Sequence, residues 1–191
     1  MKSTCIIIIS SLFLLTSLQA QKKRIHIQTK TLISASPTQV YEVLKSLEQF
    51  PKWSPFLVAD PNQKNYVKGR DGEIGSSFHW EGVAEKSQGY QTLAKLKENE
   101  YLRFECSIAK PFQSKPVFEY HLRQTEQGLL LRQDFELKLS GFDYFMIKLF
   151  GVKKKMSETN QLGLDRLKQY VEGEPVPSMM ESSIQTSDLD K

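Results

Sequence analysis

The chain is poor in the residues on which several common chemistries depend. It holds two cysteines and three histidines in 191 residues. Cys5 lies in an apolar N-terminal segment, which leaves Cys106 alone in the body of the chain. One thiol excludes a disulfide framework and a cysteine-based zinc site. There is no uninterrupted apolar run of the roughly 20 residues that a membrane-spanning helix needs. Charge of one sign is also lacking, because 26 Lys and Arg stand against 22 Asp and Glu for a net +4. Basic residues cluster only at Lys22-Lys23-Arg24 and Lys153-Lys154-Lys155. A nucleic-acid binder concentrates them on one face, so no nucleic-acid partner is expected, and neither is a metal or an organic cofactor. No internal repeat is visible.

What remains is an ordinary soluble composition, 39% hydrophobic and 25% charged, long enough for one domain with a real core. Met1-Lys2 followed by the apolar run Cys5 to Leu18 has the layout of a secretory signal. Ala20 then stands at the cleavage position. Lys22-Lys23-Arg24 immediately after the run suits instead an uncleaved anchor, which would associate the protein with a membrane. Residues 1–20 are thus read as a signal peptide that exports the protein, with an N-terminal anchor as the alternative. The domain proper is expected over 25–172, and the Ser-, Thr- and Asp-rich stretch 173–191 reads as a disordered tail.

Within the domain, Ile25 to Ser34 alternates as a first strand. Ser36-Pro37-Thr38-Gln39 supplies an N-cap, a proline at the first helical position and a capping-box glutamine. The helix that follows places Val40, Leu44 and Leu47 on one stripe, widened by Tyr41 and Val43. Pro51 and Pro55 bracket Trp53 in an elbow with room for one short helical turn. A turn-rich passage then leaves space for one short strand near Tyr66. Further strands are expected over Ser76–Val83, Gly89–Lys97, Glu100–Ile108, Pro116–Gln124 and Leu129–Leu139, with hairpin turns at Asn99 and Gln127-Gly128. From Asp143 to Glu172 the pattern is helical, and Gly151 is a candidate break. This order predicts an α+β domain: a curved antiparallel sheet of about six to seven strands, two small helices after strand 1, and a long C-terminal helix across the sheet.

Strand alternation sorts the residues by face. Phe78 and Trp80 fall inward, with His79 and Glu81 outward. Tyr90, Thr92, Ala94 and Leu96 are expected inward against Gln91, Lys95 and Lys97. Phe104 and Cys106, then Phe118 and Tyr120, then Gln133 and Phe135 complete the inner wall, and the charged residues of these strands fall outside. Rings with a few neutral hydrogen-bonding groups suit an apolar small molecule. The expected ligand-binding set is Trp53, Phe78, Trp80, Tyr90, Thr92, Phe104, Phe118, Tyr120, Gln133 and Phe135. The inner face offers no paired carboxylates, no Ser–His or Cys–His couple and no metal cluster. The candidates for catalysis reduce to Glu81, His79 and Tyr120. Cys106 on the apolar face reads as a structural thiol.

Several pieces recur together in one known group. They are A-x-P-x-x-V-Y-E-V-L at Ala35 to Leu44, F-P-x-W-S-P-F at Phe50 to Phe56, Asp60-Pro61, and the Gly72–Gly75 turn with F-x-W-E-G at Phe78 to Gly82. Lys110-Pro111-Phe112 and G-L-x-x-L-K at Gly163 to Lys168 follow. In their order and spacing the chain resembles the START-like (SRPBCC) superfamily, and within it the polyketide cyclase/dehydrase and lipid-transport group. The resemblance implies a helix-grip fold around a hydrophobic pocket. It also implies binding or transport of a lipid- or polyketide-like molecule, with a cyclase- or hydrolase-type enzyme as the alternative. The last strand departs from the group's common Thr-x-Val-x-Trp pattern, reading Leu130-Leu131-Arg132-Gln133-Asp134. A monomer is expected.

Overall fold

The computed structural model describes residues 23–56, 60, 62–83, 86–140 and 151–175. Its centre is one antiparallel sheet of seven strands. In chain order these are β1 (Lys23–Ile33), β2 (Lys64–Lys68), β3 (Ser77–Glu81), β4 (Gln88–Lys97), β5 (Tyr101–Lys110), β6 (Val117–Thr125) and β7 (Gly128–Leu139). Their order across the sheet is β1-β7-β6-β5-β4-β3-β2. Strands β2 to β7 therefore form a meander, and β1 closes it by pairing with β7 along its whole length.

Two short helices link β1 to β2. Helix α1 (Pro37–Lys45) starts where the sequence demands it. The Ser36 hydroxyl accepts the Gln39 N–H at 3.2 Å, and the Gln39 carboxamide accepts the Ser36 N–H at 3.1 Å. That capping box satisfies two orphan donors of the first turn. Beyond the end of α1, Asp71 accepts the Ser46 hydroxyl at 2.7 Å and the Leu47 N–H at 2.6 Å, which fastens α1 to the β2–β3 turn. Helix α2 (Phe50–Trp53) is the expected single turn. Phe50 stands edge-on to Trp53 and to Phe78, with ring centroids 5.0 and 5.2 Å apart.

The long helix α3 (Val152–Glu172) begins after Gly151 and ends before Gly173, both with left-handed backbone (φ 65° and 75°). Gly151 thus fixes the start of the described helix, at the break suggested by the sequence. The expected helical segment 143–150 lies outside the described residues, as do the 1–20 signal or anchor and nearly all of the tail. Helix α3 lies on the inner face, chiefly over β1. Gln161 Nε2 reaches the Lys30 carbonyl at 3.4 Å, and Glu172 accepts the Ser34 N–H at 2.6 Å, so α3 runs alongside β1 in the same direction. Its inward residues are Asn160, Gly163, Leu164, Arg166 and Leu167.

Alternation on the central strands follows the expected faces. On β7, Leu129, Leu131, Gln133, Phe135 and Leu137 are buried, while Arg132 and Lys138 are exposed. Strand β4 is the exception. Its register with β5 shifts between Leu93 and Lys95, leaving Ala94 as an extra residue. Gln91 and Leu93 therefore face inward, together with Leu96 beyond the bulge, whereas Tyr90 and Thr92 face outward. A one-residue insertion reverses the faces of everything on one side of it. The expectation that Tyr90, Thr92 and Ala94 line the interior is corrected on this ground.

Candidate functional site

The candidate site is the concave face of the sheet beneath α3. Cross-strand register arranges its side chains in rows. One row runs Thr29, Gln133, Tyr120 and Leu102 across β1, β7, β6 and β5. The next runs Ile27, Phe135, Phe118, Phe104 and Leu93. Beyond it lie Cys106 and Gln91, which are register partners, with Phe78 beside Gln91 on β3.

The first row is hydrogen-bonded. The Thr29 hydroxyl donates to Gln133 Oε1 at 3.1 Å, and Gln133 Nε2 donates to the Tyr120 hydroxyl oxygen at 2.8 Å. All three residues are buried. Burial raises the Tyr120 pKa, only partly offset by the Gln133 hydrogen bond, so the phenol stays protonated. On β1 and β7 the row stands between two apolar clusters. The larger holds Ile33, Leu129, Leu131, Leu164 and Leu167 among others, and the smaller holds Ile25, Ile27, Phe135 and Leu137. Phe118 packs against both.

The sequence-derived set divides as follows. Phe78, Phe104, Tyr120, Gln133 and Phe135 are buried on the inner face, with Phe118 and Trp80 half-buried there. Trp53 is buried in the larger cluster from α2. The Trp80 indole N–H donates to the Ser87 hydroxyl at 3.1 Å, and its ring lies against Gly89. A Cβ at Gly89 would come within 2.7 Å of Trp80 Cζ2 and 2.5 Å of the Ser107 carbonyl, so only glycine admits the ring there. Tyr90 and Thr92 lie on the outer face.

His79 and Glu81 are also outside. Glu81 is exposed, and the His79 ring is stacked between Tyr66 and Tyr90 at centroid distances of 4.8 and 5.2 Å. His79 accepts from or donates to the Ser77 hydroxyl at 2.9 Å. Its burial, with Lys68 adding to it, holds its pKa below the ordinary value. Of the three catalytic candidates, only Tyr120 faces the interior. Cys106 is buried, and desolvation pushes its thiol up to about 12, which makes it a neutral group and a poor nucleophile.

Sequence reasoning missed three inner polar residues. Gln91 was assigned to the wrong face by the bulge. Asn160 is 6% exposed, and its Nδ2 has no hydrogen-bond partner. Arg166 is 8% exposed, and its Nε donates to the Trp53 carbonyl at 3.2 Å. Asn160 could have been found, since it stands four residues after Met156 and four before Leu164, inside the apolar stripe of α3. Trp53 Nε1 is likewise buried without a partner. Among the described residues, no three His, Cys, Asp or Glu side chains are grouped to hold a metal ion.

Two open grooves lie elsewhere. One of about 540 Å³ runs between α1 and the end of α3, past Ser36, Gln39, Val43 and Tyr170. Another of about 410 Å³ lies by Leu32, Arg123 and Leu130. Neither is lined by the inner rows.

A sheet of this order, gripping a C-terminal helix, has a matching family model. The model described as polyketide cyclase / dehydrase and lipid transport covers residues 24–172. The chain belongs to this family. No curated protein matches it in sequence, and solved structures match it in shape. Protein SA2116 of Staphylococcus aureus, of unknown function, is similar at TM-score 0.62 and 15% identity, over 80% of this chain and 96% of that one. A Thalictrum norcoclaurine synthase point mutant, in complex with a transition-state analogue, is similar at TM-score 0.61 and 10% identity over 80% and 97%. Protein CV1439 of Chromobacterium violaceum gives 0.57 and 16% over 77% and 96%. At such identities these likenesses establish the shared helix-grip fold of the polyketide cyclase / dehydrase and lipid transport family and nothing finer.

Proposed function

We propose that the chain binds an apolar small molecule, lipid- or polyketide-like, between the concave face of its sheet and α3, as a carrier or sensor. One observation carries the reading. Between their ends, β1, β5, β6 and β7 turn their charged side chains outward and present rings, aliphatic groups and a neutral polar row to the interior. Such a wall holds an apolar body and orients it with a few hydrogen bonds. Family membership supports the same class of ligand. The cyclase or hydrolase alternative retains Tyr120 alone inside, as a neutral phenol that can donate a proton but offers no base. The synthase among the similar structures contributes likeness of fold only.

Native mass spectrometry of gently purified protein tests the reading, together with titration of an environment-sensitive apolar dye. Co-purified lipid, or saturable dye binding displaced by lipid, is the expected result. An interior that admits no apolar probe overturns it. We also read residues 1–20 as an export signal cleaved after Ala20, and N-terminal sequencing of the secreted protein checks this.

A further inference from the structure

The polar groups of the inner face stand on two opposite walls and do not meet. On the sheet is the row Thr29–Gln133–Tyr120. Its hydrogen bonds run one way, from the Thr29 hydroxyl to the Gln133 amide to the Tyr120 oxygen, so the phenol proton is unspent. Turning the amide round would hand the spare proton to Thr29 instead, so in either arrangement the row keeps an O–H donor to give away. On the helix is Asn160, at the same level along β1, because its neighbour Gln161 reaches the carbonyl of Lys30, next to Thr29. Asn160 is buried, points inward with Leu164, and its Nδ2 has no partner.

An unsatisfied buried amide costs stability, and a leucine of similar size there would remove that cost. The chain nevertheless carries the amide on the one stripe of α3 that is otherwise apolar. The row offers an O–H donor in either arrangement, and Asn160 can present its unpartnered Nδ2, so the one atom that satisfies both walls is an acceptor. The charge of that acceptor is also constrained. Cys106 is a neutral thiol, and Arg166 lies six residues, or about 9 Å, further along α3, turned to the Trp53 carbonyl. A carboxylate brought to the row would be buried without a counter-charge.

We propose that the ligand is an apolar molecule bearing a neutral oxygen acceptor, a ketone, ester or lactone carbonyl. The proposal rests on the binding function above. The carbonyl sits between Asn160 Nδ2 and the Tyr120 hydroxyl. The apolar body extends over the smaller cluster (Ile27, Phe135, Leu137), since beside β7 and α3 the space on the other side of the row is filled by side chains at 0% exposure such as Leu131 and Leu164. The molecule therefore binds with its polar end inward.

The test compares undecanone (a methyl ketone), undecane and undecanoate as competitors of a bound apolar dye, using the full chain, with thermal melts alongside. The ketone is expected to compete about tenfold better than the alkane, the worth of roughly one buried hydrogen bond, and better than the carboxylate. Asn160→Leu is expected to raise the melting temperature and to erase most of the ketone's advantage while leaving undecane unchanged. Tyr120→Phe is expected to cut the same advantage without the gain in stability. If all three probes compete equally, or if Asn160→Leu leaves the ketone's advantage intact, the acceptor site is overturned while the binding function stands. If no probe competes and no dye binds, the binding function itself has failed.

Discussion

The two halves of the concave face are built differently. Under the later turns of α3, the centre of the larger cluster is closed, with Ile33, Leu129, Leu131, Leu164 and Leu167 all at 0% exposure, while its outlying members Phe104 and Leu122 retain 5% and 7%. Under its first turns, the smaller cluster has four buried members, each retaining 3–6% exposure, flanked by half-buried Phe118, Leu139 and Met156. On β1 and β7 the hydrogen-bonded row is the border between them. On the proposed binding reading, the first half serves stability and the second recognition. A close-packed interior loses energy whenever a methyl group is removed, whereas a wall that must admit a guest cannot be filled by its own side chains.

The comparison is most directly broken by one substitution made twice on one strand. Leu131→Ala in the filled half is expected to cost about 4 kcal/mol, and Leu137→Ala in the other half about 2 kcal/mol, toward the upper and lower parts of the range for such truncations. Urea melts of both variants check this, and equal costs would erase the distinction.

A smaller effect sits on the outer side of the border row. Burial works against the charge of Asp134, but the Gln28 hydrogen bond at 2.8 Å and the neighbouring Arg132, His121 and His26 outweigh it and hold its pKa below the ordinary value. A carboxyl with a depressed folded pKa stabilises above its unfolded value of about 4, and that contribution fades as pH falls through the folded one. Asp134→Asn is therefore expected to cost about 1 kcal/mol at pH 7 and to flatten the acid side of the stability profile. An unchanged profile would show that this border is not held from outside.

The smallest signal is kinetic. In a full chain carrying Cys5→Ser, Cys106 should resist thiol reagents at pH 8, because its thiol is buried with a pKa of about 12. Residual labelling would then report local opening. Leu137→Ala is expected to quicken it more than Leu131→Ala, relative to the global stability each removes. The reverse order would place the softer half on the other side of the row.

Much of this was legible in the sequence, for identifiable reasons. Ser36, Pro37 and Gln39 specify the start of α1 by local hydrogen bonding, which needs no knowledge of the rest of the chain. Alternation on β7 gives its faces because charged residues stand regularly between Leu129 and Leu137. Strand β4 defeated the same reasoning, since nothing in Gln91-Thr92-Leu93-Ala94 marks Ala94 as the extra residue. The bulge is decided by pairing with β5, a tertiary fact. Asn160 went unread for the opposite reason. Its place in the α3 stripe was plain, but a lone amide among apolar neighbours acquires meaning only when no partner is found for it.

Trp53 carries a further consequence. Its indole N–H is buried without a partner, while that of Trp80 is bonded to Ser87. An indole in apolar surroundings with no acceptor emits at shorter wavelength than a hydrogen-bonded one, so the two tryptophans of this chain should be separable in the emission spectrum. The protein thereby comes with an intrinsic optical gauge. A blue band would belong to the core around Trp53, and a redder one to the half-buried Trp80 ring on β3, which a guest could perturb without disturbing the first.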